Sequence, residues 1–163
     1  MGEYTNSWEN VGVNFDNYLI VISSNFIDNT ANKIIINNFR ELSRAIGVKN
    51  IIAYPQDEAL VLAKKIFKIK EKEDEPILII TRLHPLTILK SMESKENFDS
   101  LYEKIPIGDI SDENQIIKIL RELFEYIKSD EYSKITWLIR HRTFNRILKK
   151  VKIFAELKSV MPK

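Results

Sequence analysis

Three short apolar runs recur along this chain, and a stretch with helical spacing follows each of the first two. The runs are 18–23 (YLIVIS), 50–54 (NIIAY) and 77–81 (ILIIT). Their lack of polar alternation is typical of strands that are covered on both faces of a sheet. Helices are predicted for 31–46, with Gly47 as the residue that follows the helix end, and for the stretch that follows Pro55. This alternation predicts an α/β fold, a three-layer sandwich whose central sheet has about four strands.

The rest of the chain gives weaker signals. Residues 1–14 have no clear period, so we expect a loosely attached lead-in there, with an edge strand near 11–15. An irregular excursion with one short helix is predicted for 84–102, and a short edge strand for 104–110. Ser111 is expected to cap a helix, because two acids follow it in the first turn. A break near Ser129 then precedes a final helix.

Length and composition limit the class of protein. The chain has 163 residues, which is the size of one domain, and its 44% hydrophobic content is that of a folded protein. It has no cysteine, which excludes disulfides, thiolate metal sites and cysteine-based catalysis. No apolar run reaches 18 residues and residues 1–10 do not resemble a signal peptide, so a cytoplasmic location is predicted and membrane insertion is not.

Residue usage suggests a hot habitat for the source organism. The sequence has 26 isoleucines, and lysine outnumbers arginine 18 to 7. Enrichment in Ile, Lys and Glu without Cys favours a thermophile. Thirteen asparagines argue the other way, because asparagine is labile at high temperature. An AT-rich genome would explain Ile, Lys and Asn together.

The order of elements around Pro76 resembles the thioredoxin-like fold. In that family a cis-proline precedes the third core strand, which here is 77–81, and the redox pair lies between the first core strand and the long helix, here 25–31. The resemblance covers about 17–128 and rests on topology and one proline. Both redox cysteines are missing, so it implies a binding or scaffolding derivative. A Rossmann-like open sheet is the alternative, with ligands beyond the carboxyl ends of its strands.

Few residues could carry catalysis. His84 and Arg82 follow the third apolar run, and Asp28 follows the first. A small hydrolytic or ligand-sensing domain would use the loops 23–30 and 81–85, with these three side chains as candidates. No further His or Cys lies near either histidine, and no glycine-rich phosphate loop occurs, so neither a metal nor a cofactor is predicted. A loop histidine that caps a strand end is the simpler explanation of His84.

Positive charge is concentrated at the C-terminus. Residues 1–130 contain 16 basic and 21 acidic side chains, a net charge of −5, whereas residues 131–163 contain 9 basic and 2 acidic ones, a net charge of +7. We therefore divide the chain into an acidic α/β domain, 1–130, and a basic amphipathic helix, 131–163. Such a distribution favours an anionic partner.

Helical spacing separates the two faces of this C-terminal segment. One face collects apolar side chains: Phe144, Ile147, Leu148, Val151, Phe154 and Ala155. The opposite side and its flank carry the cations that we expect to meet nucleic-acid phosphates: Arg140, Arg142, Arg146, Lys149, Lys150 and Lys152. Two other interpretations stay open. The apolar face could rest on a membrane surface, or it could pack on this domain or a second subunit, which would make the protein an element of homo-oligomeric assembly such as a homodimer.

Overall fold

A computed structural model describes residues 1–24, 28–71, 73–94, 102–131 and 133–135. Within these residues the chain forms a mixed α/β structure with one sheet. The strands are β1 (Gly2–Thr5), β2 (Asn17–Ile22), β3 (Asn50–Pro55), β4 (Ile77–Thr81) and β5 (Tyr102–Pro106). The helices are α1 (Thr30–Asn37), α2 (Phe39–Ala45), α3 (Asp57–Ile66), α4 (Pro85–Glu93) and α5 (Glu113–Lys128), with a 3₁₀ turn at Trp8–Asn10.

The sheet has five strands in the order β1-β3-β2-β4-β5, so the prediction of about four strands was wrong. The additional strand is β1, which lies within residues 1–14, where a loose lead-in was expected; the edge strand expected near 11–15 does not form. β1 and β2 both run parallel to β3, whereas β4 is antiparallel to β2 and β5 is antiparallel to β4. Because an edge strand of four residues is too short to show a clear period, only its pairing with β3 identifies it.

Side chains on the two faces of the sheet belong to two separate cores. On β2, Leu19 and Val21 point into a cluster with residues of α1, α2 and α5. Tyr18, Ile20 and Ile22 point the other way, into a cluster with residues of α3 and α4. Both sets are 0% exposed, which explains why the run lacks polar alternation.

The helix predicted for 31–46 is two helices, α1 and α2. The break is at Asn38, whose backbone (φ −114°, ψ 15°) leaves the helical region and whose Nδ2 donates to the Ile34 carbonyl oxygen at 2.8 Å. Asparagine side chains compete for backbone groups in this way, which ends a helix. Gly47 adopts φ +89° after α2, as the prediction that it follows a helix end requires.

Two other boundaries differ slightly from their predictions. Asp112, not Ser111, caps α5, because its carboxylate accepts from the Asn114 N–H at 2.9 Å. The predicted edge strand 104–110 begins earlier, at Tyr102, and ends at Pro106. A short helix does occupy part of 84–102, as α4.

The chain beyond α5 begins against the body. Asp130 adopts φ +59° just after the helix end, and Ile135 is 0% exposed within the core cluster that α1, α2 and α5 share. The predicted basic helix lies outside the described residues from 136 onward. Within the part of the chain that the structure describes, no helix is long and apolar enough to cross a membrane.

Candidate functional site

Polar side chains gather where β2 ends, at the edge that also holds the start of β4. Ser24 follows β2, Asn29 caps α1, Lys64 comes from α3, and Glu75 precedes Pro76 at the start of β4. The register of β2 and β4 pairs Ile22 with Ile77, which places the two chain segments side by side. We call Ser24, Asn29, Lys64 and Glu75 the Glu75 cluster.

Glu75 is the centre of this cluster. Its side chain is only 9% exposed, and its Oε1 lies 2.7 Å from Lys64 Nζ. Its Oε2 accepts from the Ser24 N–H at 2.7 Å, while Lys64 Nζ also donates to Ser24 Oγ at 2.9 Å. Burial by itself would raise the pKa of the Glu75 carboxyl, but the hydrogen bonds from Lys64 and Ser24 outweigh it and hold the pKa below its ordinary value of 4.5. Glu75 is therefore an ionised carboxylate with a hydrogen-bond donor at each oxygen.

Neighbouring polar groups are also bonded to one another. The Glu75 carbonyl oxygen accepts from Asn29 Nδ2 at 2.8 Å, and the Glu75–Pro76 peptide is cis. Next to it, the Oδ1 of Asn32 accepts from the buried Ser23 hydroxyl at 3.0 Å and from the Tyr54 hydroxyl at 2.9 Å. A hydroxyl that donates to an amide oxygen has no base to activate it, so Ser23 has no nucleophile geometry.

Asp28 lies near this cluster but points to solvent. Its carboxylate is 2.9 Å from Lys33 Nζ, and both side chains are more than 60% exposed. Exposed pairs of this kind contribute little to stability. The sequence placed Asp28 correctly after β2, but the structure gives it an ordinary surface ion pair.

Arg82 and His84 lie at the opposite end of the sheet. Because β2 and β4 are antiparallel, Thr81 pairs with Tyr18 at the start of β2, whereas the loop 23–30 follows its end. Four residues of strand, roughly 13 Å, separate the two ends. The structure therefore does not bring Asp28 together with Arg82 and His84, and the described residues of the loop 23–30 lie at the other end of the sheet from the loop 81–85.

His84 ties the N-terminal segment to α4. Its Nδ1 faces the Leu86 N–H at 3.1 Å and so must accept, which leaves Nε2 to donate to the Val11 carbonyl oxygen at 3.1 Å. The residue is 5% exposed, and burial lowers its pKa below the ordinary 6.5 despite hydrogen bonds to backbone groups. Both nitrogens of the neutral ring are occupied, which is the geometry of a structural cap.

Arg82, in contrast, reaches across to the end of α5. Its guanidinium forms an ion pair with the carboxylate of Asp130, and both side chains are more than half exposed. This contact joins the end of β4 to the turn that follows α5. Among the described residues, no group of three His, Cys, Asp or Glu side chains is placed to hold a metal ion.

The six cations predicted to contact nucleic acid, Arg140, Arg142, Arg146, Lys149, Lys150 and Lys152, lie outside the described residues.

A groove that the sequence analysis missed runs between β1 and α2. It has a volume of about 830 Å³, and we call it the β1–α2 groove. The residues that matter most in it are Met1, Tyr4, Ile36, Arg40, Arg44 and Val48. Arg40 and Arg44 stand one helical turn apart in the sequence, which was a usable signal. The partner strand was not foreseen, so the groove was not either.

Comparison of the chain with family models, with curated proteins and with solved structures found no match.

Proposed function

We propose that this protein is a non-enzymatic binding module with a thioredoxin-like arrangement of layers, and that its basic C-terminal segment contacts nucleic-acid phosphates. The thioredoxin-like architecture is supported by the order of the elements from β2 to α5. Core residues on both faces of the sheet, each packed with helices, support a three-layer sandwich.

The lack of enzymatic chemistry is supported by how the candidate groups are bonded. The sequence has no cysteine, so dithiol chemistry is impossible. The Glu75 carboxylate and the Lys64 ammonium are paired, and both His84 nitrogens have partners. A general base needs an available lone pair and a pKa near the working pH; both His84 nitrogens are already bonded, and the lowered pKa of Glu75 makes it a weak base.

The single observation that carries nucleic-acid binding is the segregation of charge, +7 in residues 131–163 against −5 in residues 1–130. In the described part of the body, Asp28, Glu73 and Glu75 pair with lysines of the same body. A surplus of cations on one segment attracts polyanions, and phosphate contacts make such binding strongly dependent on salt.

Binding of the full chain to labelled DNA and RNA at about 50 and about 200 mM salt tests this proposal. The test variant combines Arg142→Glu, Arg146→Glu and Lys149→Glu. Its matched control combines Lys65→Glu, Lys90→Glu and Lys118→Glu, which change the net charge equally on exposed positions of the body. We expect the test variant to lose binding and the control to keep most of it. Equal affinities of the two variants would contradict a role for the C-terminal cations.

A further inference from the structure

The β1–α2 groove gathers exposed apolar side chains that a folded chain normally buries. Met1 is 60% exposed, Val48 90%, and both Tyr4 and Ile36 45%. These four residues account for most of the large hydrophobic side chains that stand exposed in the described structure, and all of them line this one groove. A concentration of exposed apolar surface in one concave place marks a binding site.

The charged groups of the groove are all cationic. Arg40 and Arg44 lie four residues apart on α2, so their side chains share one side of the helix, and both are exposed. Among the residues that the structure describes, neither forms an ion pair, and no carboxylate lines the groove. The nearest acids in sequence face elsewhere: Glu41 lines a different groove, against α5, and Glu3 falls on the opposite face of β1. The charge of the β1–α2 groove therefore favours an anionic occupant.

Tyr4 gives that occupant a chemical identity. Its ring packs on Phe39, with centroids 4.3 Å apart, and on Tyr54, at 5.3 Å. These contacts hold the ring while nearly half of the side chain remains exposed. A supported, exposed aromatic beside cations is the arrangement on which unpaired bases stack while their phosphates meet arginine.

We propose that the β1–α2 groove binds single-stranded nucleic acid, with a base stacked on Tyr4 and backbone phosphates at Arg40 and Arg44. This inference rests on the proposed function, because it assigns a second contact surface to the same ligand class. The C-terminal cations supply affinity for any phosphate backbone, whereas the groove supplies preference for single strands, whose bases are free to stack.

The test measures binding of the full chain to a short labelled oligothymidylate and to a hairpin duplex at one salt concentration. We expect Tyr4→Leu to weaken binding of the single strand about tenfold and to leave the affinity for the duplex unchanged. Tyr4→Trp should keep the affinity for the single strand. The double variant Arg40→Glu with Arg44→Glu should also weaken binding of the single strand. Its control is Lys65→Glu with Lys118→Glu, two exposed positions away from the groove. Thermal melting identifies any variant that fails to fold, and the arginine pair does not disturb the core.

The outcomes separate this inference from the proposed function. If Tyr4→Leu and the arginine pair both bind the single strand like the wild type, the groove proposal is overturned, even when reversal of Arg142, Arg146 and Lys149 abolishes binding. Equal loss for Tyr4→Leu and Tyr4→Trp would overturn base stacking on this side chain. If the groove variants lose binding and the C-terminal reversal does not, the groove stands and the proposed role of the C-terminal cations falls. No binding by the wild type would overturn both.

Discussion

Gly108 packs directly against the backbone of Glu75. A Cβ atom added at Gly108 would lie 2.0 Å from the Glu75 carbonyl oxygen and 2.4 Å from its carbonyl carbon. The preceding residue also contacts this segment, since the Ile107 N–H donates to the Pro76 carbonyl oxygen at 3.0 Å. The segment after β5 and the Asn29 side chain therefore both contact the Glu75–Pro76 peptide.

The close approach predicts that Gly108→Ala destabilises the fold. Backbone atoms cannot move aside as a flexible side chain can, so we expect a loss of at least about 2 kcal/mol in the free energy of unfolding, measured by urea denaturation. Gly12→Ala is the matched control, since its nearest neighbour is a ring atom of Phe15 at 3.0 Å, which can shift. Equal losses for the two variants would show that the contact with Glu75 has no special cost.

Removal of Lys64 should leave a buried carboxylate without its counter-ion. Because Glu75 is 9% exposed and Lys64 is 32% exposed, solvent compensates only part of the loss, and we expect Lys64→Met to cost about 1–3 kcal/mol. Lys65→Met, at the exposed neighbouring position, should change stability by less than about 0.5 kcal/mol. A Lys64→Met protein as stable as the Lys65→Met protein would show that the pair contributes nothing.

Glu75 also predicts a dependence of stability on pH. Its pKa is lower in the folded state than its ordinary 4.5, so its contribution is complete above that value and is lost as the pH falls through the folded pKa. Denaturation of the wild type and of Glu75→Gln should therefore show a stability difference at pH 7 that shrinks below about pH 4.5. A difference that stays constant down to about pH 3 would contradict a lowered pKa of Glu75 in the fold.

His84 acts in a different pH window. The folded state disfavours its protonation, so the unfolded chain binds an extra proton below the ordinary pKa of 6.5, and stability falls as the pH decreases. Between about pH 7 and 5, the wild type should lose up to about 1.4 kcal/mol per pH unit relative to His84→Gln, which has no titrating group. Parallel curves for the two proteins would show that His84 is as easily protonated in the fold as in the unfolded chain.

The apolar runs and their spacing were sufficient to predict the α/β class. Strands such as β2 are covered on both faces, so nearly every residue in them must be apolar. This requirement produces a local apolar run that can be recognised in the sequence. Helix ends were predictable where one residue type has a special conformational role, as Gly47 does after α2. The charge surplus of residues 131–163 was likewise a property of composition alone.

Strand pairing was decided by the tertiary structure. β1 is a strand because it forms backbone hydrogen bonds with β3. No local pattern within its four residues predicts this pairing. The antiparallel register of β2 and β4 separates Asp28 from His84 and brings Glu75 to Ser24, over a sequence separation of 51 residues. The β1–α2 groove depends on the pairing of β1 with β3, since Tyr4 lines the same groove as Arg40 and Arg44 only when β1 is part of the sheet. Periodicity indicates which side of a helix or strand is buried. The location of a site depends instead on which elements are neighbours, and that is decided by contacts between residues distant in sequence.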